Sequence, residues 1–253
     1  MPPADLCGAC GKTIESCECE DRAIVRGGSI PQGEQQNRIV ACAGRKGSGK
    51  SRLARAILEQ CPRQFTYDTM GEHRWIPDSF NEIDQATIYL MDSHSFPSFS
   101  ARYIPESDDD DETDFAEICS TVYDMGNMLF CVEEIVMQPG ISASSSPGKF
   151  KRITRLGRHR NLDVLYTTQR LEETPRALTA ATDVFILFAH SEPRSLDAIS
   201  ARCGPEIARK VASFKGHEFL IYDVNQKNLV STVDCGIMIA EVSSPQFKPQ
   251  LTA

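Results

Sequence analysis

Apolar and polar positions along the 253-residue chain fall into blocks that switch repeatedly between short continuous apolar runs and helical spacing. Residues 38–43 form an apolar run that predicts a buried strand, and residues 51–60 carry the spacing of a helix directly behind it. Residues 65–68 and 86–91 read as further short strands, separated by a polar, proline-containing stretch. The segment from His94 to Phe99 does not decide between a loop and an edge element. Phe115, Ala116, Ile118, Val122 and Met125 recur at helical intervals, and Asn127 ends that helix before a strand over 128–135. A Ser, Gly and Pro-rich loop over 138–148 precedes a basic helix over 149–158 and a strand over 162–168. A short helix over 175–181 has proline in its first turn, where the missing N–H is harmless. A strand over 183–189, helices over 193–201 and 205–214, and an antiparallel pair over 218–224 and 229–233 complete the pattern. Strands alternating with helices predict an α/β fold with a largely parallel sheet covered on both faces.

Between the first strand and the first helix, Gly44 to Ser51 read G-R-K-G-S-G-K-S, a complete G-x-x-x-x-G-K-[ST] phosphate loop in the strand-loop-helix context that the motif requires. Gly44, Gly47 and Gly49 let successive backbone N–H groups turn toward one anion, and the helix N-terminus adds its partial positive charge. Lys50 is expected on the β- and γ-phosphates of ATP and the Ser51 hydroxyl on Mg²⁺, with Arg45, Lys46, Ser48 and Arg52 completing the nucleotide-binding stretch.

A phosphate loop needs an acid on the far side of the metal and a group to polarise water. Met128-Leu129-Phe130-Cys131-Val132 leads into Glu133, expected to face Mg²⁺ through water, and Glu134, expected to polarise the attacking water. Gln169 leaves the 162–168 strand on the edge that carries the phosphate loop, within reach of the γ-phosphate and that water.

Composition adds limits. The net charge of -8 argues against a protein that coats nucleic acid through overall positive charge, but it averages two opposed blocks. Glu106, Asp108, Asp109, Asp110, Asp111, Glu112 and Asp114 read as a solvated loop before a helix. Lys149, Lys151, Arg152, Arg155, Arg158 and Arg160 read either as a wet helix face or as a nucleic-acid or subunit contact. No run approaches the ~20 apolar residues that span a bilayer, and the start lacks a signal-peptide pattern, so the chain is expected in the cytoplasm.

Six of the ten cysteines are scattered, and Cys42 and Cys131 lie in apolar strands as small core residues. Cys7, Cys10, Cys17 and Cys19 cluster near the start. They suit a structural Zn²⁺ knuckle that draws folding energy from the metal, with free thiols or an iron–sulfur site as alternatives.

The stretch Gly157-Arg158-His159-Arg160-Asn161-Leu162-Asp163-Val164-Leu165-Tyr166-Thr167-Thr168-Gln169-Arg170, followed by Pro175-Arg176-Ala177-Leu178-Thr179-Ala180-Ala181-Thr182-Asp183, resembles the FtsK/HerA superfamily of DNA-pumping ATPases. The likeness runs over residues 38–223, and the compact size is most similar to the genome-packaging ATPases of membrane-containing double-jelly-roll viruses. It implies a RecA-like P-loop NTPase core, an arginine finger at Arg158 acting across a subunit boundary, and a sensor role for Gln169. Such a finger implies head-to-tail packing, and hence a hexamer-like ring around double-stranded DNA held without regard to sequence. Members of the family usually carry Asp then Glu where this chain has Glu133 then Glu134.

The expected organisation is therefore a knuckle and linker over 1–36, an ATPase domain over 37–242 and a tail over 243–253. The knuckle is a candidate dock for a capsid or membrane vertex protein, and the chain is expected in the host cytoplasm or with the virion. The leading reading is ATP-driven DNA translocation. A small-molecule or nucleoside kinase and a nucleotide-dependent scaffold are the competing classes; Glu134 and Gln169, which look arranged to use water, weigh against the kinase.

Overall fold

The computed structural model describes residues 38–105 and 111–229. The four N-terminal cysteines, the linker, the tail, the acids from 106 to 110 and the end of the last predicted strand lie outside the described residues.

A nine-stranded sheet organises the chain: β1 (Ile39–Ala43), β2 (Arg63–Tyr67), β3 (Asp78–Phe80), β4 (Phe99–Tyr103), β5 (Met128–Val132), β6 (Leu162–Thr168), β7 (Val184–Phe188), β8 (Phe219–Asp223) and β9 (Asn228–Leu229). Their spatial order is β3-β4-β2-β5-β6-β1-β7-β8-β9. Pairings from β3 through β7 are all parallel, while β8 and β9 add antiparallel. Seven strands therefore end on one edge, where ligands bind in open parallel sheets.

Every residue of β1, β2, β5 and β7 is buried, which is why β1, β5 and β7 read as continuous apolar runs rather than alternating ones. Strand alternation still divides them between two clusters. Ile39, Ala41, Ala43, Phe65, Phe130 and Tyr166 face one core, whereas Val40, Cys42, Cys131, Leu165 and Ile186 face the other. Among the described residues, a single helix, α1 (Lys50–Leu58), contributes Leu53, Ala54, Ala56 and Leu58 to the second cluster. Helices α2 (Ile83–Asp92), α3 (Asp111–Met125), α4 (Gly148–Leu156), α5 (Arg176–Ala181), α6 (Pro193–Cys203) and α7 (Pro205–Ser213) pack on the first.

Three expectations change. Residues 86–91, read as a strand, lie in helix α2, because Ala86, Thr87 and Leu90 are buried at helical intervals and Ile88 and Met91 face outward. The strands on that side are instead β3 and β4, the latter in the stretch that had no assignment. Strand β5 also stops at Val132, earlier than predicted, because Glu134 takes the left-handed conformation (φ 44°, ψ 64°) and a 3-10 turn over Ile135–Met137 follows. The acidic run does not end in solvent: α3 already starts at Asp111, and Asp114 accepts the Tyr103 hydroxyl. No helix among the described residues is long and apolar enough to cross a membrane.

Candidate functional site

The phosphate loop connects β1 to α1 at the shared strand edge. Its backbone is tied to both neighbouring strand ends: the Gly44 N–H donates to the Thr168 carbonyl at 3.1 Å and the Arg45 N–H to the Ala189 carbonyl at 3.4 Å. Two glycines are dictated by geometry. A Cβ on Gly44 would stand 2.6 Å from Phe188 Cβ and 2.7 Å from Ser48 Oγ, and Gly49 enters α1 at φ 105°, a conformation L side chains avoid. Arg45, Lys46 and Gly47 are exposed at the loop tip, as is Arg52 on α1, whereas Ser48 and Lys50 are buried.

The structure brings Lys50, Ser51, Glu133, Glu134 and Gln169 together. Lys50 Nζ lies 3.5 Å from Glu134 Oε1 and 3.5 Å from the Arg45 carbonyl. The Ser51 hydroxyl lies 3.2 Å from Glu133 Oε1. Gln169 holds Glu134 by both ends, its backbone N–H reaching Oε2 at 3.2 Å and its side-chain amide Oε1 at 3.1 Å. Consecutive residues of a strand point to opposite faces, so two neighbouring acids serving one site need a break in the strand. The left-handed backbone of Glu134 supplies it, fixed by the Glu134 N–H donating to Thr167 Oγ1 at 2.8 Å.

Sequence reasoning missed the loop after β2. Asp68, His73 and Glu133 are buried with one ligand-type atom each within 4.8 Å of the others. Asp68 Oδ2 accepts from Arg102 Nη1 at 2.8 Å and from the His73 N–H at 3.0 Å. His73 Nε2 stands 3.5 Å from Glu133 Oε1. Burial pushes both carboxyls upward. Asp68 nevertheless sits below its ordinary value because Glu133, His73 and Arg102 favour its charged form, whereas burial and the facing Asp68 leave Glu133 above. Burial works against charge on His73 as well, but Glu133, Asp68 and Glu72 outweigh it and the imidazole is raised. Gln138 ties the walls together, donating to Thr69 Oγ1 at 2.6 Å and to the Glu133 carbonyl at 2.9 Å. From the other side, His217 Nδ1 meets the Ser48 carbonyl at 2.9 Å. Asp68, His73, Arg102, Gln138 and His217 stand in no motif, and the contacts Asp68–Arg102, Thr69–Gln138 and Ser48–His217 span long sequence separations.

The residues fit a nucleotide-bound Mg²⁺. Glu133 Oε2 is buried without a hydrogen-bond partner, the Ser51 hydroxyl lies beside the same carboxylate, and the set is rich in the hard oxygens this ion takes.

Arg158 is not part of this gathering. It is exposed on the 3-10 turn Gly157–Arg160, which precedes β6, with its Nε 3.3 Å from His159 Nε2. Since β6 runs parallel to β1, Arg158 lies on the opposite sheet edge, about 20 Å of strand away from Gln169. Arg160 is anchored within the chain, donating to the Tyr123 carbonyl at 2.9 Å and to the Asp124 carbonyl. Cys42 and Cys131 are core thiols as expected, Cys42 pushed up to about 12 by burial.

No protein-family model matches the chain, and no curated protein matches it in sequence. Solved structures do. The genome packaging NTPase B204 from Sulfolobus turreted icosahedral virus 2, in complex with AMPPCP, superposes with a TM-score of 0.62 at 22% identity over 77% of this chain and 96% of that one. Its complex with ATP-gammaS gives 0.61 at 22% identity, over 77% and 95%. B204 from Sulfolobus Turreted Icosahedral Virus, a DNA-packaging ATPase, gives 0.55 at 20% identity over 77% and 97%. The chain shares the P-loop NTPase fold of these proteins.

Proposed function

We propose that the chain is an ATP-hydrolysing double-stranded DNA translocase, a viral genome-packaging motor that works as a homo-oligomeric ring. The observation that carries this reading is the meeting of Lys50, Ser51, Glu133, Glu134 and Gln169 at one strand edge. Similarity to B204, described as a genome packaging NTPase, supports the task.

The backbone N–H groups of the loop up to Ser51 cradle the phosphates, except those of Gly44, Arg45 and Ser48, which bond within the chain; Arg45, Lys46 and Arg52 are exposed around the rim. Lys50 neutralises the β- and γ-phosphates. Ser51 and Glu133 would hold Mg²⁺, which would supply charge neutralisation at the phosphates. When the terminal phosphate draws Lys50 to itself, Glu134 loses that ion pair and turns its carboxylate to the attacking water, with the Gln169 amide keeping it in line. Arg158, too far from its own chain's phosphate loop, completes a neighbour's site in a head-to-tail ring. The exposed bases of α4 and of the turn after it contribute channel or interface surface that holds DNA phosphates without reading bases. In this reading residues 37–242 are the motor, 243–253 a tail, and 1–36 a Zn²⁺ knuckle on Cys7, Cys10, Cys17 and Cys19 that docks to a capsid or vertex protein.

DNA-stimulated ATP turnover tests the proposal. Stimulation by double-stranded DNA of any sequence is expected. Phosphate transfer to a nucleoside would favour a kinase instead, and nucleotide binding without turnover a scaffold. Stoichiometric zinc, lost in Cys7→Ser, is expected; metal-free protein would reject the knuckle.

A further inference from the structure

The Ser51 hydroxyl has two carboxylates within reach and one hydrogen to give. Glu72 Oε2 is the nearer at 2.7 Å, against 3.2 Å for Glu133 Oε1. Glu72 belongs to no motif and comes from the loop after β2; its side chain is exposed, and its position is set by a chain of contacts that leads to the buried Asp68. The Glu72 N–H donates to Asp68 Oδ1 at 3.0 Å, and the next N–H, of His73, donates to Asp68 Oδ2 at 3.0 Å. The Gly71 N–H returns to the Asp68 carbonyl at 3.1 Å, with Gly71 at φ 64° closing the turn. Arg102 of β4 pins Asp68 in turn, and Thr69 Oγ1 donates to the Glu133 carbonyl at 3.3 Å. The loop is thus fastened to β4 and to the end of β5, and it presents one carboxylate to the hydroxyl of the phosphate loop.

A hydroxyl that binds a metal ion through a lone pair must direct its hydrogen elsewhere. If the hydrogen went to Glu133, that carboxylate would spend an acceptor position on Ser51 rather than on the ion and its waters. We propose that Glu72 is a positioning residue for the nucleotide's Mg²⁺: it takes the Ser51 hydrogen, so that a Ser51 lone pair faces the ion and Glu133 spends no acceptor position on Ser51. This inference rests on the ATP-binding reading above and deepens it. It also gives the Glu133 position, longer by one methylene than the usual Asp, a neighbour that relieves it of one bond.

The test is equilibrium binding of a non-hydrolysable fluorescent ATP analogue to the full chain, titrated with Mg²⁺ and repeated in EDTA. Outer partners of metal ligands are worth about 10- to 100-fold in metal affinity, so Glu72→Ala is expected to need about tenfold more Mg²⁺ for half-maximal binding. Glu72→Gln keeps an acceptor without the charge, and a smaller shift of about threefold is expected. Affinity in EDTA is expected to be unchanged in both, a result that a general loss of structure would not give. In a Ser51→Ala background, Glu72→Ala is expected to add nothing, since the hydroxyl through which it acts is gone. An unshifted Mg²⁺ requirement in Glu72→Ala would overturn the proposal, as would the same shift with and without Ser51, or equal weakening in EDTA. Wild-type protein that binds no nucleotide would overturn the ATP-binding reading itself, a different outcome from any of these.

Discussion

At the C-terminal edge of the parallel strands, Lys50, Asp68, His73, Glu133 and Glu134 are buried, and each stands within 3.5 Å of an opposite or exchangeable charge. At the N-terminal edge, Arg155 and Arg158 are exposed. Buried charge is tolerated only where it is paired and hydrogen-bonded, so the first edge is built around itself and changes there leave uncompensated groups. An exposed guanidinium is hydrated and nearly neutral for stability, and it remains available to another molecule. In the proposed reading, one edge carries the interior half of a reaction site and the other carries charge that completes a site on a neighbour.

The comparison breaks first at Arg158. If it acts on a neighbour's nucleotide, Arg158→Ala is expected to lower ATP turnover by about 10³-fold or more while leaving nucleotide affinity near wild type. Mixing it with Lys50→Ala subunits, which keep Arg158, is expected to restore part of the turnover. Full activity of pure Arg158→Ala would remove the distinction between the edges.

The core offers the next largest effect. Phe130, fully buried on β5 just before the acid pair, is expected to cost about 3–5 kcal/mol of stability as Phe130→Ala in urea unfolding. Arg155→Ala at the exposed edge is expected to stay within about 0.5 kcal/mol.

A pH series sharpens the contrast. His190, buried with Nδ1 2.9 Å from the Phe188 carbonyl, is held below its ordinary value of 6.5, first by burial and also by the nearby Lys50. A depressed histidine means that the unfolded chain takes up the proton first as pH falls. Its contribution to stability is thus complete above about 6.5 and declines below it. His190→Asn is expected to flatten the fall in urea midpoint between neutral and acidic pH; an unchanged slope would place the sensitivity elsewhere.

What the sequence revealed follows the same division. Glu133, Glu134 and Gln169 were legible because a strand end fixes both the chemistry and the place of the residue that follows it, and the phosphate loop fixes the edge. The loop carrying Glu72 and His73 was not, since its contacts to Ser51 and Glu133 are made across long sequence separations with no spacing rule. Helix α2 was misread because its apolar composition suited a strand, although the spacing of Ala86, Thr87 and Leu90 is helical. Strand β3, three residues long and only half-buried, carries too little apolar signal to be read. The left-handed Glu134 also had no sequence signal, being a non-glycine residue in a conformation that costs about 1–2 kcal/mol and is held by the Thr167 contact.

The most direct test of the site is single-turnover ATP hydrolysis by Glu134→Gln in the presence of double-stranded DNA. Bound ATP at near wild-type affinity, with hydrolysis slowed by about 10²- to 10⁴-fold, is the predicted result. Hydrolysis at the wild-type rate would contradict the placement of Glu134 beside the attacking water.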